Sequence, residues 1–299
     1  MIKFDIGIPV YNEGKSIKNL LEDIKIQKLP IVAKLSHIFV VSDNSSDNTH
    51  TEVINFSKTN KKVKLIIKKK RSGKRNSLHL LFKMSRADIL ILLDGDIRLY
   101  NECVLNNLII NFKNETVGLV AGNPIPSKKG GNIAEMASFF SWVILQNIKK
   151  YNKESIYCAH GRILAAPKKL YKNLILPEGP GDDQALYLAC KKRNLKFAFE
   201  KNTKVYYSLP QNYKDYLKQG IRFRQAIRTK RKYFGKSYIN SQFVIRNKIK
   251  IMADSIFEYP TNFIYWFLFY LSAKIINSIK VLSKQKDKEI WLISKSTKV

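Results

Sequence analysis

Along the first two thirds of the chain, short apolar runs rich in β-branched residues alternate with stretches of helical period. IKFDIGIPV (2–10) is followed by a helical pattern from Ser16 to Ile26. SHIFVVSDNSSDNT (36–49) carries an apolar run into a polar loop, and KVKLIIKK (62–69) precedes a helical pattern from about Lys74 to Ser85. ADILILLDGD then drives five apolar residues, Ile89 to Leu93, straight into two aspartates. A helix near Cys103 to Phe112 and a further run, VGLVAGNPIP (117–126), follow. This alternation predicts an open α/β sheet, mostly parallel, flanked by helices on both faces. Functional loops in such sheets lie beyond the carboxyl ends of the strands, so the loops after Val10, Val41 and Leu93 are expected on one edge.

From about residue 236 the texture changes. FIYWFLFYLSA (263–273) holds no charged residue, and Lys274 ends it. A spanning helix needs about 20 apolar residues, and residues 259–282 reach that length only by including Lys274 and Lys280. Arg246, Lys248 and Lys250 precede the segment and Lys284, Lys286 and Lys288 follow it, which disfavours placing its ends on opposite membrane faces. A helix lying in the membrane interface, a re-entrant one, or a buried helix completing the soluble domain are all open at this point.

Composition narrows the class. With 299 residues there is room for one large or two ordinary domains. Hydrophobic residues at 45% against 26% charged make the chain globular rather than disordered. Cys103, Cys158 and Cys190 form neither a disulfide framework nor a zinc spacing, so a reducing, cytoplasmic compartment is expected. The N-terminus reads as a strand and not as a signal peptide. The net charge of +31 suits nucleic acid, an anionic membrane surface or phosphate-rich ligands, and equally a lysine-rich solvated surface.

Several polar stretches then carry candidate chemistry. Asp94 and Asp96, separated by Gly95 at a strand end, can hold a hard divalent cation such as Mg2+ or Mn2+, whose shell is completed by water and substrate phosphates. Alone, such a triplet is an ordinary turn. IPVYNEG (8–14) brings Pro9, Tyr11 and Glu13 to the end of the first run; Tyr11 can stack on a base and Glu13 can accept from a ribose hydroxyl. VSDNSSDNT (41–49) offers Asp43 to a base N–H, while Ser46, Asp47 or Thr49 suits a helix cap. RSGKRNS (71–77) places Gly73 and Lys74 before a helix, where phosphate is bound well, but without phosphate-loop spacing.

In this order the segments resemble family 2 glycosyltransferases of the GT-A fold, over roughly residues 4 to 235. PVYNEG is similar to the opening donor motif and SDNSSDNT to the D-D-G-S-x-D-x-T loop, with Ser42 for the first aspartate and Asn44 for the glycine. Asn tolerates the left-handed backbone that glycine supplies, so the loop shape is expected to survive. The resemblance implies that Asp43 meets the nucleobase and that Asp94 and Asp96 form the metal-binding D-x-D. AHGRILAAPKKL (159–170) resembles the acceptor-side segment built on a glycine, here Gly161. GPGDDQALYLACKKRNLK (179–196) resembles the E-D-x-x-L motif, which puts Asp182 in the glutamate position and makes Asp183 the catalytic base. QGIRF (219–223) resembles Q-x-x-R-W, with Gln219 and Arg222 on the donor and Phe223 replacing the tryptophan on the acceptor side. The helix around it, about Tyr213 to Tyr233, is basic and amphipathic and also suits an anionic membrane surface.

The resemblance therefore implies a GT-A domain over 1–235 and a C-terminal helical extension over 236–299, with a candidate membrane-associated segment at 259–282. It implies a metal-dependent, inverting, hexosyltransferase-type enzyme at the cytoplasmic face of a membrane. Its donor is a nucleotide-diphospho-sugar and its acceptor a glycan or lipid-linked hydroxyl. A polyprenyl-phosphate glycosyltransferase is the nearest alternative, although an anionic acceptor needs no base such as Asp183. A nucleic-acid-binding protein draws support from KKVKLIIKKKRSGKR (61–75), yet no helix-turn-helix, zinc-finger or RNA-recognition signature accompanies it, so no nucleic-acid partner is expected. A sugar-1-phosphate nucleotidyltransferase would want a glycine-rich N-terminal loop, and PVYNEG offers one glycine.

Overall fold

The computed structural model describes residues 1–282 and 297. They divide into two compact units, Met1–Ile125 with Cys158–Tyr207, and Pro126–Tyr157 with the described residues from Ser208 to Leu282.

The first unit opens with β1 (Ile2–Val10), α1 (Ile17–Lys25), β2 (Ala33–Ser42), α2 (Thr49–Thr59), β3 (Val63–Ile67), α3 (Lys74–Met84) and β4 (Ile89–Leu93). β1 pairs in parallel with β2 and β4, and β2 with β3. Parallel neighbours need a crossover, which the predicted helices supply. All five residues of β4 are buried, as its unbroken aliphatic run requires of a strand covered on both faces. β5 (Ile97–Leu99), α4 (Val104–Ile109) and β6 (Val117–Pro126) come next; α5 (Ile133–Tyr151) belongs to the second unit. The chain returns through β7 (Ile163–Pro167), α6 (Lys168–Tyr171), α7 (Asp182–Lys192) and β8 (Lys196–Tyr207).

The sheet order is β3-β2-β1-β4-β7-β6-β8-β5. Beyond β4 the ladders are antiparallel, with β7 on β4, β6 on β7 and β5 on β8. The mixed, GT-A-like sheet thus keeps the predicted parallel order in its first four strands. The reversal has a use: β7 starts where β4 ends, Leu93 facing Ile163, and the Asp94 amide donates to the Arg162 carbonyl at 3.0 Å. Residues 159–162 are thereby fastened beside the D-G-D turn. Phe4, Ile6, Ile8, Leu20, Ile91, Leu93 and Val120 form one continuous core beneath this edge.

The second unit is helical: α5, α8 (Tyr213–Phe234), α9 (Lys236–Gln242), α10 (Lys248–Glu258) and α11 (Pro260–Leu282). Aromatic rings join them. Phe140 of α5 meets Phe263 and Trp266 of α11 at 5.5 and 5.4 Å between centroids, and Tyr213 and Tyr216 of α8 meet Phe269 at 4.7 and 5.1 Å. Tyr151 donates to Asp254 at 2.7 Å and Asn147 to Ser255 at 3.0 Å, which ties α10 to α5. The candidate segment 259–282 is realised as α11, and no helix among the described residues is long and apolar enough to cross a membrane. Its inner face packs as above, while Ile264, Phe267, Leu268 and Leu271 are exposed. Those positions are spaced i, i+3, i+4, i+7, one face of a helix. Lys284, Lys286 and Lys288 lie outside the described residues.

Candidate active site

The loops after β1, β2 and β4 meet on one edge, and each is held by side chains of another. The loop after β1 turns through Asn12 in a left-handed conformation (φ 54°), and Asn44 takes the same conformation (φ 61°) in the loop after β2, as its place in the family pattern requires. The amides of Asn12, Glu13 and Gly14 donate to Ser45 Oγ, Thr49 Oγ1 and Asp47 Oδ2 at 3.0, 2.9 and 3.0 Å. Asp47 is therefore spent on cross-loop bonds as well as on the Thr49 amide, and the residue at the cap of α2 is Asn48. Burial pushes the Asp47 carboxyl up, but hydrogen bonds from the Thr49 hydroxyl and the Gly14 and Thr49 amides outweigh this and hold it below the ordinary carboxylate value.

Asp43 is buried at the end of β2. Its Oδ1 and Oδ2 accept from the Ser72 and Gly73 amides at 2.8 Å each, and Lys68 Nζ pairs with Oδ1 at 2.5 Å. Lys68 also donates to the Gly73 carbonyl and to Ser77 Oγ, at 3.2 and 3.1 Å. The basic loop 68–73 is thus folded around Asp43, and Gly73, at φ 87°, turns it into α3. Three of a carboxylate's roughly four lone-pair positions are in use, which leaves about one for a base N–H. The Arg71 guanidinium lies 4.2 Å from the centroid of Tyr11, on the ring expected to meet the base. Sequence reasoning read Lys68 and Arg71 only as part of a basic run; neither stands out there, because spacing alone does not show which carboxylate or ring each will meet.

The chemistry-bearing carboxylates gather around Lys74, the first residue of α3. Its Nζ lies 2.5 Å from Asp94 Oδ1 and 3.2 Å from Asp182 Oδ2. Pro9, Leu78, Leu93 and Leu164 line the same pocket. Burial pulls the Lys74 ammonium down in pKa, yet the fields of Asp182 and Asp94, the hydrogen bond to Asp94 and the field of Asp183 more than reverse this, so it titrates well above an ordinary lysine. Gly95 is required between the two aspartates, because a Cβ there would sit 2.8 Å from Val10 Cγ1 and 3.1 Å from Glu13 Cγ. Glu13 is buried beneath this turn, with Oε2 accepting from Ser16 Oγ at 3.5 Å.

Asp182 and Asp183 open α7, after Gly181 in the left-handed region (φ 86°). Asp183 Oδ2 accepts from the Gly161 amide at 3.1 Å and Oδ1 from the Gln184 amide at 2.8 Å, which fixes the carboxylate's orientation. Gly161 lies against the cluster, where a Cβ would make ordinary contacts 3.4 Å from Asp183 Cβ and 3.5 Å from Lys74 Nζ. Arg162, which the sequence did not single out, stacks its guanidinium 3.5 Å from the centroid of Tyr207. The structure thus brings Pro9, Lys74, Asp94, Gly161, Asp182 and Asp183 together. Gln219, Arg222 and Phe223 lie on α8 of the second unit, with Phe223 exposed.

No group of three or more His, Cys, Asp or Glu that could hold a metal occurs among the described residues. Asp94 and Asp96 by themselves are a hard oxygen pair, which fits Mg2+ or Mn2+ when a diphosphate and water complete the shell. Asp94 is already paired with the Lys74 ammonium, which a metal there would have to displace or share.

The sequence model of glycosyl transferase family 2 matches residues 5–173, more than half of the chain. The chain belongs to that family. Hyaluronan synthase of Streptococcus pyogenes is 25% identical over 280 residues, covering 84% of this chain and 61% of the synthase. The chain therefore spans about three fifths of the length of that relative. Among solved structures, a mannosyltransferase from Pyrobaculum calidifontis in complex with GDP-Man and Mn2+ superposes with a TM-score of 0.62 at 17% identity, covering 95% of this chain and 76% of the other. Glucosyl-3-phosphoglycerate synthase from Mycobacterium tuberculosis, with Mn2+, UDP and phosphoglyceric acid, gives 0.55 at 19% identity, covering 77% and 78%. These likenesses establish the GT-A fold for this member of the glycosyltransferase family.

Proposed function

We propose that this family 2 member is an inverting, metal-dependent glycosyltransferase that moves a sugar from a nucleotide-diphospho-sugar to a hydroxyl acceptor. The observation that carries the reading is the cluster around Lys74, in which a D-x-D aspartate and the start of the Asp182-Asp183 helix share one largely enclosed ammonium. This brings a residue proposed for the donor and the helix start proposed to carry the base to one ammonium. Tyr11 offers the base a stacking face, Asp43 its remaining acceptor position, and Glu13 and Pro9 shape the ribose side. Asp94 and Asp96 would hold the metal, and Lys74, which pairs with Asp94, would meet the diphosphate. The metal supplies charge stabilisation for the departing diphosphate. Gln219 and Arg222 are assigned to the donor on their Q-x-x-R motif alone, a guanidinium fork being suited to phosphate oxygens.

Asp183 takes the proton of the acceptor hydroxyl as that oxygen bonds to C1. The C1–O bond to the β-phosphate breaks on the opposite face, and its electron pair leaves with the nucleoside diphosphate. Two amide donors hold the Asp183 carboxylate in one orientation, as a base aimed at an acceptor hydroxyl requires. Gly161 and Asp182 lie against Asp183 and Lys74 and are assigned to the acceptor side, and Phe223 is assigned there on its motif alone. A strong base bears on the runner-up too, since a polyprenyl phosphate would not need Asp183. Residues 1–235 are taken as the catalytic portion and 236–299 as an extension.

The extension is assigned to the cytoplasmic face of an anionic membrane. Ile264, Phe267, Leu268 and Leu271 form an exposed apolar stripe, and between Tyr213 and Lys274 the chain carries 13 Lys and Arg against three acidic residues. An apolar face with a basic surround is the pattern of a helix lying in the interface.

The test is a donor screen. Purified protein is incubated with UDP-, GDP-, ADP- and dTDP-sugars, with Mn2+ or Mg2+ and mixed glycan and lipid-linked acceptors, and released nucleoside diphosphate is measured. Metal-dependent release from one nucleotide class supports the reading; no release from any of them, with folded protein, removes it.

A further inference from the structure

We infer that Lys74 is an internal counter-cation that competes with the metal for Asp94, so that the divalent ion enters together with the nucleotide and not before it. The inference rests on the metal and donor assignment just made and deepens it. Lys74 Nζ lies on Asp94 Oδ1, the aspartate oxygen nearest to it, at 2.5 Å, and on Asp182 Oδ2 at 3.2 Å. The ammonium is largely enclosed, with its side chain 12% exposed, so water does little to screen it. An ammonium and a divalent ion cannot share that oxygen cheaply: both are positive, and both need its lone pairs.

A diphosphate changes the balance, because it supplies anionic oxygens for the metal and for a displaced ammonium at once. Lys74 is placed for the exchange. It opens α3 immediately after Gly73, whose backbone at φ 87° turns loop 68–73 into the helix, so its backbone is fixed while its side chain reaches Asp94 and Asp182. Asp182 gives the ammonium a second anchor on the acceptor side while it lets go of Asp94. The consequence is thermodynamic coupling: nucleotide and metal each raise the other's affinity by more than shared coordination alone provides. Lys74 also connects the two halves of the site, since freeing Asp94 for metal shifts the ammonium relative to the helix that carries Asp183.

The experiment is calorimetry of Mn2+ binding to the full chain, alone and with UDP or GDP, for wild type, Lys74→Met and Arg75→Met. The expected result is weak Mn2+ binding by wild type alone and strong binding with nucleotide. Lys74→Met should bind Mn2+ alone about 5- to 150-fold more tightly, and its enhancement by nucleotide should shrink by the same factor. Arg75, whose charge pairs instead with Glu178 at 3.6 Å, tests for a general charge effect, and Arg75→Met should change metal affinity less than about twofold. If the methionine variant does not fold, Lys74→Gln carries the test. Unchanged or weaker metal binding in the Lys74 variant, or an equal gain in Arg75→Met, overturns the inference while leaving the functional reading standing. Failure of wild type to bind Mn2+ even with UDP or GDP overturns both.

Discussion

Asp183→Asn separates chemistry from scaffolding at the start of α7. The asparagine keeps the shape, but its side chain has one acceptor oxygen where the carboxylate had two. Asp183 accepts from both the Gly161 and Gln184 amides, so the variant loses one of these bonds. A typical hydrogen bond contributes about 0.5–1.5 kcal/mol. The lost charge at a helix N-terminus removes about 0.3–1 kcal/mol more. The structural cost is therefore about 1–2.5 kcal/mol, which a well-packed domain survives. Loss of a general base costs about 100- to 10,000-fold in rate, equivalent to about 2.7–5.4 kcal/mol at 1.36 kcal/mol per tenfold. The catalytic effect should thus exceed the structural one.

The assay measures transfer at saturating donor and, separately, binding of UDP and GDP with Mn2+. Asp183→Asn should keep nucleotide affinity within a few-fold and lose at least about 100-fold in rate. Asp182→Asn is an informative companion but not a silent one, because Asp182 pairs with Lys74. It should disturb nucleotide and metal binding and reduce the saturated rate far less. Equal small losses in both variants would mean the pair only supports the helix. Lost nucleotide binding in the Asp183 variant would assign that residue to the donor side.

Other expectations follow from the same geometry. Asp96→Asn should weaken metal-dependent nucleotide binding and nearly abolish turnover, and wild-type activity without added metal would refute the D-x-D assignment. Gly95→Ala places a Cβ 2.8 Å from Val10 Cγ1 and should cost about 1–3 kcal/mol in unfolding free energy as an overpacking change; urea melts at equal buffer conditions check it, and an unchanged midpoint contradicts the close approach. Asp47 has a depressed pKa in the folded chain, so its stabilisation is fully present above the ordinary carboxylate value and disappears as pH falls through the depressed one. The stability gap between wild type and Asp47→Asn should accordingly close on acidification, and a gap independent of pH refutes the linkage. Phe267→Glu with Leu271→Glu should abolish sedimentation with phosphatidylserine-containing vesicles at low salt; retained binding, or a wild type that never binds, removes the membrane assignment.

Much of the frame was legible because it follows from local rules. Strand and helix periods placed β1 to β4 and their crossovers, and the parallel order gathers the polar loops after β1, β2 and β4 on one edge. Asn44 was readable as a left-handed position because the residue type and its place in the loop agree. What escaped were partnerships made across the sheet. Lys68 and Asp43 are 25 positions apart, and no periodicity links them. The Arg71 contact with Tyr11 depends on how loop 68–73 folds back, which Asp43 decides through two amides. The reversal of β7 was also hidden, since a short apolar run looks the same in either direction.

Lys74 shows why the missing part matters most for mechanism. In the sequence it is a phosphate-suited lysine before a helix, which is a statement about one ligand. In the fold it touches Asp94, 20 positions on, and Asp182, 108 positions on, and so joins the segment expected to hold the donor to the one expected to act on the acceptor. One ammonium with three donors serves both carboxylates at once, so whatever binds at one changes the field at the other. Motif positions considered singly assign each aspartate an independent task. The shared ammonium makes those tasks interdependent, so substitutions at Asp94, Asp182 and Lys74 should combine non-additively, as expected for residues in one charge network.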